Sequence, residues 1–404
     1  MGSVLLRQGL VIDPFVQTRA VADVLVVDGV ITSIGGTVEP LPAGAEVIDC
    51  RGLLVTPGLI DLHAHVLPGL GDFCLPPDQV GVEMGLPVVI DGGTSGVATF
   101  DISRRAVIDH PSTATRVLAF IDPCQLYLAT KDFICHKLRI ADDLRNLDND
   151  SLAESVDRNA DVLVGLKVRA CHVGDPSYSP FLTAAQEFGG GLPVMVHLGR
   201  FPHTPVIDPA ALLNALRPGD IVTHAFRGAG GMLGQDGKAI PELRDAVDRG
   251  VVLDMGHSGT DFRFREARRL LDQGYLPTSA STDLNVFNVL GPVFSLAENL
   301  TKLLALGIDL PDVVAMATTN VARTVNKLDE LGSLAVGRRA EISVIRLRED
   351  GPFPVSDGHE TMQAAQALEP VGCLRSGVWH EVGPMATFAT HGKTWTAPPP
   401  GQDW

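Results

Sequence analysis

The most constraining feature of the chain is a succession of short apolar segments between residues 59 and 284. They are LIDLHAHV (59–66), PVVIDGG (87–93), TRVLAFI (115–121), VLVGLKV (162–168), PVMVHLG (193–199), DIVTHAF (220–226), VVLDMG (251–256) and TSASTDL (278–284). Each has strand length and is bounded by turn-forming residues. Near-continuous apolarity is what a parallel strand buried on both faces requires. Helix-like stretches lie between several of them, including ALLNALR (211–217), PELRDAVDRG (241–250) and FREARRLLDQG (264–274). In the last, Phe264, Ala267, Leu270 and Leu271 share one apolar face while Arg265, Glu266 and Arg269 reach solvent. This alternation predicts an α/β fold, a (β/α)8 TIM-like barrel over residues 56–330, with the weakest strand propensity in the last segment. An open doubly wound sheet needs a nucleotide fingerprint. DGGTSG (91–96) lacks both the Lys-Ser/Thr ending and the dinucleotide spacing, so it reads as a tight strand-to-helix connection beside a cleft.

The flanks have a different rhythm. LLRQGLVIDP, ADVLVVDGVITSIG and AEVIDCRGLLVTPG supply short strands in residues 1–55, with a hairpin turn at Asp28-Gly29. AEISVIRL (340–347) is a strong strand and VGCLRSGVWHEVG (371–383) a hairpin around Ser376-Gly377. Strands this short need a partner layer, so residues 1–55 and 331–404 are expected to build one small β-sandwich domain around the barrel. The end, GKTWTAPPPGQDW, reads as loose surface chain. Thirty-two Lys and Arg against 48 Asp and Glu leave a net charge of −16. That acidity argues against nucleic acid or an anionic membrane surface as the main partner. No apolar run approaches the roughly 20 residues that cross a bilayer, and no secretory leader is evident. Six scattered Cys without a close pair read as reduced thiols in a cytoplasmic enzyme. A homo-oligomer is compatible with all of this.

Ionisable residues fall at the ends of the apolar segments. His63 and His65 alternate across Ala64, so in a strand both imidazoles face one side. Lys167, His197 and His224 end three later segments, and Asp283 closes the last. A barrel gathers these strand ends at one mouth. Imidazole and carboxylate suit divalent metals such as zinc, and the set is large enough for two ions. A protonated lysine is a poor ligand, but an apolar strand favours the neutral amine. Reaction of Lys167 with carbon dioxide gives a carbamate whose two oxygens can bridge metals about 3.5–4 Å apart.

TPGLIDLHAH, GLKVRA, VMVHLG, THAF and PTSASTDL together resemble the amidohydrolase superfamily, within its dihydroorotase-like metal-dependent hydrolases. The resemblance spans residues 50 to 290, and LDELGSLAVGRRAEISVI is similar to the return into the small β domain, with Glu341 where Asp is more usual. It implies that His63, His65 and Asp283 hold the more buried metal and His197 and His224 the second. N6-carboxylated Lys167 then bridges them, a bridging hydroxide attacks, and Asp283 serves as general base and then acid. The finer motif order resembles a branch that hydrolyses acylated small acids, such as O-acetylated (R)-mandelate and some N-acyl amino acids. The expected substrate is therefore a small anionic molecule with an ester or amide bond. Dihydroorotase, or another cyclic amidase, is the alternative. Its pattern places a carboxylate-gripping arginine where this chain has Leu67. An inactive barrel with a scaffold role is the alternative from another class, and the complete ligand set argues against it.

Around this set, Arg169 and Arg227 are candidates to bind a substrate carboxylate, with a structural ion pair as the competing role for each. His257, just beyond VVLDMG, is a candidate to orient the carbonyl or the attacking group, with an indirect role competing. Tyr127 reads better as packing. His110, His136, His359 and His380 lie outside the strand-end pattern, and His172 and His203 sit in loops near it. Cys171 has no partner base that would make it a nucleophile.

Overall fold

Five strands come first: β1 (Ser3–Asp13), β2 (Thr18–Val27), β3 (Val30–Gly35), β4 (Glu46–Asp49) and β5 (Leu54–Pro57). The structure, a computed structural model, describes residues 2–169, 179–199, 207–228 and 230–383. Cys171, His172, His203 and the terminal GKTWTAPPPGQDW stretch lie outside the described residues. β2 pairs antiparallel with both β1 and β3. Asp28 and Gly29 both take positive φ, 49° and 80°, as a type I′ turn between twisted strands requires.

Seven parallel strands follow: β6 (Ile60–Ala64), β7 (Val88–Gly96), β8 (Arg116–Asp122), β9 (Leu163–Val168), β10 (Val194–His197), β11 (Ile221–Thr223) and β12 (Val252–Leu253). They neighbour one another in sequence order, as right-handed crossovers produce. The eighth segment, 278–284, is not a regular strand, yet it closes the ring. Ser279 bridges in parallel to Asp254 on one side and Leu284 to Ala64 on the other. Met255 N–H donates to Ser279 O at 3.0 Å and His65 N–H to Leu284 O at 2.8 Å. A curled parallel sheet flanked by helices is therefore the core, a TIM-like barrel. One apolar cluster draws residues from all seven strands, among them Leu62, Ile90, Phe120 and Met195, and so fills the interior. Val321, Ala322 and Val325 seal it from the strands' N-terminal side. The larger cluster packs helices onto the outside. In the helix Phe264–Leu271 the buried face includes Glu266 as well as Phe264, Ala267 and Leu270. Glu266 was expected in solvent; its carboxylate is instead held by Arg265 Nη2 at 2.6 Å.

Five strands end the described chain: β13 (Glu341–Arg348), β14 (Phe353–Ser356), β15 (Thr361–Ala364), β16 (Ala367–Arg375) and β17 (Val378–Glu381). The expected partnership of the two termini is present. The order β17-β16-β13-β5-β1-β2-β3, with β4 beside β1, forms one mixed sheet in which β5 against β13 joins the ends. Val4, Leu6, Val24, Val26, Ile342, Val344 and Leu374 share one core, so the sheet curls over itself. Ser376 and Gly377, at φ 52° and 81°, form the predicted turn. Among the described residues no helix is long and apolar enough to cross a membrane.

Candidate active site

The C-terminal ends of the barrel strands bring the ionisable residues together. His63 and His65 sit on and just past β6, whose pairing register against β7 shifts between Asp61 and Ala64. Such an irregularity re-aims side chains, and barrel rims beside active sites are where these shifts concentrate. His63 Nε2 and His65 Nε2 lie 3.4 and 3.1 Å from Asp283 Oδ1. These three buried residues have donor atoms within 4.8 Å of one another, a group able to hold a metal ion. His224 Nε2 lies 3.9 Å from Asp283 Oδ2, and the His197 and His224 ring centroids are 4.4 Å apart. Lys167 Nζ is 2.9 Å from His63 Nε2 and 3.2 Å from Met195 Sδ, neither of them an anion. All six predicted ligands therefore converge at one mouth.

Hydrogen bonds behind the imidazoles decide which nitrogen faces inward. Thr94 Oγ1 donates to Asp91 Oδ2 at 2.7 Å, which leaves it to accept from His65 Nδ1–H at 2.8 Å. Thr223 Oγ1 likewise donates to Asp254 Oδ2 at 2.7 Å and accepts from His63 Nδ1–H at 3.1 Å. His224 Nδ1–H donates to Gly256 O at 2.5 Å. In all three rings the proton is on Nδ1, so Nε2 presents a lone pair to the centre. This is how metal-ligating histidines are held. His224 Nε2 and Asp283 Oδ1 are buried with no hydrogen-bond partner among the described residues. Buried polar atoms are rarely left so. A bound divalent cation would satisfy both, and the donor set fits one.

The electrostatics agree. Burial, reinforced by Lys167 and the other imidazoles, holds His63 well below the ordinary histidine range, and burial beside His224 and Lys167 does the same for His197. Both are neutral, ligand-ready rings at neutral pH. Burial pulls Lys167 down to about 7, with Arg169 adding to the effect. Burial pushes Asp283 up, but close contact with His65 and the electrostatic pull of His65, His224 and Lys167 outweigh it, leaving its carboxyl below the usual value. His224 and Asp283 also take left-handed backbone conformations, at φ 64° and 53°. Such conformations cost of order 1–3 kcal/mol in non-glycine residues and cluster at functional sites. Space is provided by glycine: a Cβ on Gly92 would lie 2.2 Å from the His63 ring and one on Gly93 would lie 2.4 Å from Lys167 Cβ. DGGTSG thus forms the end of β7 itself, where its glycines admit the ligands.

The remaining candidates are engaged with protein. Arg169 Nη1 pairs with Asp122 Oδ2 at 2.7 Å, Nη2 donates to Gly93 O at 2.7 Å, and the guanidinium lies 4.0 Å over the Tyr127 ring. Arg227 pairs with Asp261 at 3.0 Å and donates to Leu198 O at 3.1 Å; its Nε is buried without a partner among the described residues. His257 is fully buried, with Nε2 3.0 Å from Lys302 Nζ and Nδ1 3.1 Å from the Gly259 nitrogen. That geometry favours action through its neighbours over contact with a substrate. Asp91, Thr94, Thr223 and Asp254, which hold the imidazoles from behind, lie outside the strand-end pattern of His, Lys and Asp. A signal for two of them was present, since VVID and VVLD each set one carboxylate in an apolar run.

Known proteins bear on this site directly. No family model matches the chain. The chain is 33% identical over 352 residues to a deacetylase of Agrobacterium fabrum, covering 85% of this chain and 82% of that protein. It is 33% identical over 341 residues to a deacetylase of Brucella anthropi, covering 82% and 81%. A crystal structure of a dihydroorotase superposes with a TM-score of 0.81 at 28% identity over 95% of this chain and 98% of that one. With its barrel, its His-His-Asp metal cluster and these relatives, the chain belongs to the amidohydrolase superfamily, as a TIM-barrel metal hydrolase related to deacetylases and dihydroorotases.

Proposed function

We propose that the protein hydrolyses an ester or amide bond in a small acylated carboxylic acid, using two divalent metals. His63, His65 and Asp283 would hold one ion and His197 and His224 the other, with carboxylated Lys167 between them and zinc the expected metal. Such ions supply Lewis-acid polarisation of the carbonyl and lower the pKa of the attacking water. The chain's own residues do the rest. Asp283 takes the water proton as the oxygen adds to the carbonyl carbon. It then returns that proton to the leaving oxygen or nitrogen as the acyl bond breaks. Arg227, whose side chain is 17% exposed, is the better candidate for a substrate carboxylate than Arg169 at 5%. In this reading Arg169 is spent on Asp122 and positions the strand ends. We also propose a division of the chain near residues 55 and 330 and a cytoplasmic location.

The observation that carries this reading is the inward Nε2 set of His63, His65 and His224 around Asp283, beside a buried lysine pulled down to about 7. The deacetylase relatives support an acyl substrate, while the dihydroorotase structure favours a cyclic amide as the second reading. Leu67 is buried, so no cation stands at that position to grip a dihydroorotate carboxylate. The test is a hydrolysis screen of metal-loaded protein on N-acyl amino acids of both hands, O-acyl 2-hydroxy acids and dihydroorotate, with metal content measured on the same sample. Turnover of an acylated acid with about two metals per chain is expected. Turnover of dihydroorotate alone would move the assignment to a cyclic amidase. Protein that binds no metal and gains no activity on metal addition would end the hydrolase reading.

A further inference from the structure

Lys302, on the helix Leu296–Ala305, is fully buried and plays no part in the chemistry above. Its Nζ lies 2.6 Å from Pro292 O, 3.0 Å from His257 Nε2 and 3.1 Å from Asn299 Oδ1. None of these is a carboxylate. The Gly259 N–H reaches His257 Nδ1 at 3.1 Å while also donating to His257 O at 2.6 Å. A ring nitrogen facing an N–H is an acceptor, so the neutral imidazole carries its proton on Nε2. In its neutral form Lys302 Nζ accepts that proton's hydrogen bond and donates to Pro292 O and Asn299 Oδ1. One lone pair and two N–H groups are the capacity of that form. Burial pulls Lys302 in the same direction, down to about 8, against the pull of Glu298 and Asp357.

The contacts tie two loops together. His257 lies in the segment after β12, and Pro292 lies at the far end of the segment that begins with Asp283. Asn288 makes a second tie, its Nδ2 2.8 Å from both Ser258 O and Asp283 O. Asn285 Nδ2 also donates to Asp283 O at 2.8 Å, and Asn299 Nδ2 to Ser281 O at 3.2 Å. Asp283 has a left-handed backbone, so this surrounding scaffold must hold it in place. Removing one tie at the base loosens a conformation that the local chain does not favour.

We propose that Lys302 is a positioning residue for Asp283: through His257 and Pro292 it locks the 256–262 loop to the 283–292 loop and so keeps the Asp283 carboxylate against His63 and His65. The catalytic consequence rests on the hydrolase reading; the clamp itself does not. Lys302→Met, loaded with metal, is compared with the wild type by hydrogen exchange and by steady-state kinetics. Faster exchange confined to 256–262 and 283–292 is expected, with metal stoichiometry retained, kcat lowered about 10–100-fold and KM changed less than about threefold. Unchanged exchange in both loops overturns the clamp. Faster exchange with kcat per metal-loaded site within twofold of wild type overturns the positioning role and leaves Lys302 purely structural. A wild type inactive on every substrate sinks the hydrolase reading instead, and the exchange result still decides the clamp. Should Lys302→Met not fold, His257→Asn breaks the same tie from the other side and His257→Gln, which again reaches Lys302, should restore the exchange pattern. Failure of Gln to do better than Asn overturns the proposal.

Discussion

Replacing Thr223 by Val isolates the step on which the metal centre depends. The two side chains have nearly the same volume, so the fully buried site gains no cavity. Asp254 keeps Ser279 and Ser281, each donating at 2.7 Å, so the carboxylate stays hydrogen-bonded and the fold should survive. The damage falls on His63. Its Nδ1–H loses the hydroxyl at 3.1 Å and faces a methyl group. A buried donor left unpaired costs about 1–3 kcal/mol. The ring can escape by moving its proton to Nε2, but that places a hydrogen on the atom that should ligate the metal. Either route weakens metal binding, and partners of this kind are typically worth 10–100-fold in affinity, about 1.4–2.7 kcal/mol. The assay strips metal with a chelator and titrates zinc into wild type, Thr223→Val, Thr94→Val and a Ser95→Ala control against a competing chromophoric chelator. Both Thr variants should lose 10–100-fold and the control nothing, because Ser95 Oγ touches Gly96 O and Thr99 rather than a ligand. Affinity in Thr223→Val within threefold of wild type would refute the tautomer argument.

The other expectations follow from the same contacts. Lys167→Ala should lose the metal pair, with partial recovery of metal content in the presence of a short-chain carboxylic acid; unchanged metal content would contradict a bridging carbamate. Arg169→Ala leaves Asp122 buried without its cation and should cost about 3–5 kcal/mol in denaturant unfolding, whereas Arg227→Ala should mainly raise KM. A stable Arg169→Ala protein with a raised KM would reverse those two roles. Lys302, at about 8 when folded, sits below the roughly 10.4 of an unfolded lysine. Between those values the unfolded chain binds a proton that the folded chain does not, so stability should rise with pH. Metal-free wild type should gain about 1 kcal/mol more than Lys302→Met from pH 8 to 9, and equal slopes in the two proteins would show that Lys302 does not titrate at a lowered value in the folded chain.

Much of the barrel was legible because a strand buried on both faces has few choices. Val88–Gly96, Arg116–Asp122 and Leu163–Val168 lie close to the expected segments, since no other arrangement hides that much apolar surface. The eighth segment was the weakest expectation, and physics explains its irregularity. TSASTDL puts its hydroxyls to work on buried carboxylates: Ser279 and Ser281 on Asp254, and Thr282 on Asp61 at 2.5 Å. Side chains that hydrogen-bond so close to the backbone compete with ladder pairing. The ring is closed there by isolated bridges rather than by a regular strand.

The two buried lysines show where the legibility of the site ends. Lys167 stands in VLVGLKV, where no neighbouring residue offers a route to solvent, so an ammonium there is costly and chemistry is the natural explanation. Lys302 stands in SLAENLTKLLALG, where a helix ordinarily turns its lysines outward, and nothing local separates it from a solvated surface residue. Its burial comes from outside the helix. The Thr301 hydroxyl accepts from the Leu368 N–H of β16 at 3.0 Å, which lays the terminal β unit across this helix. His257 and Pro292 then close over the amine from the barrel side. Local pattern can flag a charge that its own strand buries, but not one that a distant strand buries. Lys302 is a residue of the second kind, buried by Pro292, His257 and the strands laid across its helix rather than by its own sequence neighbours.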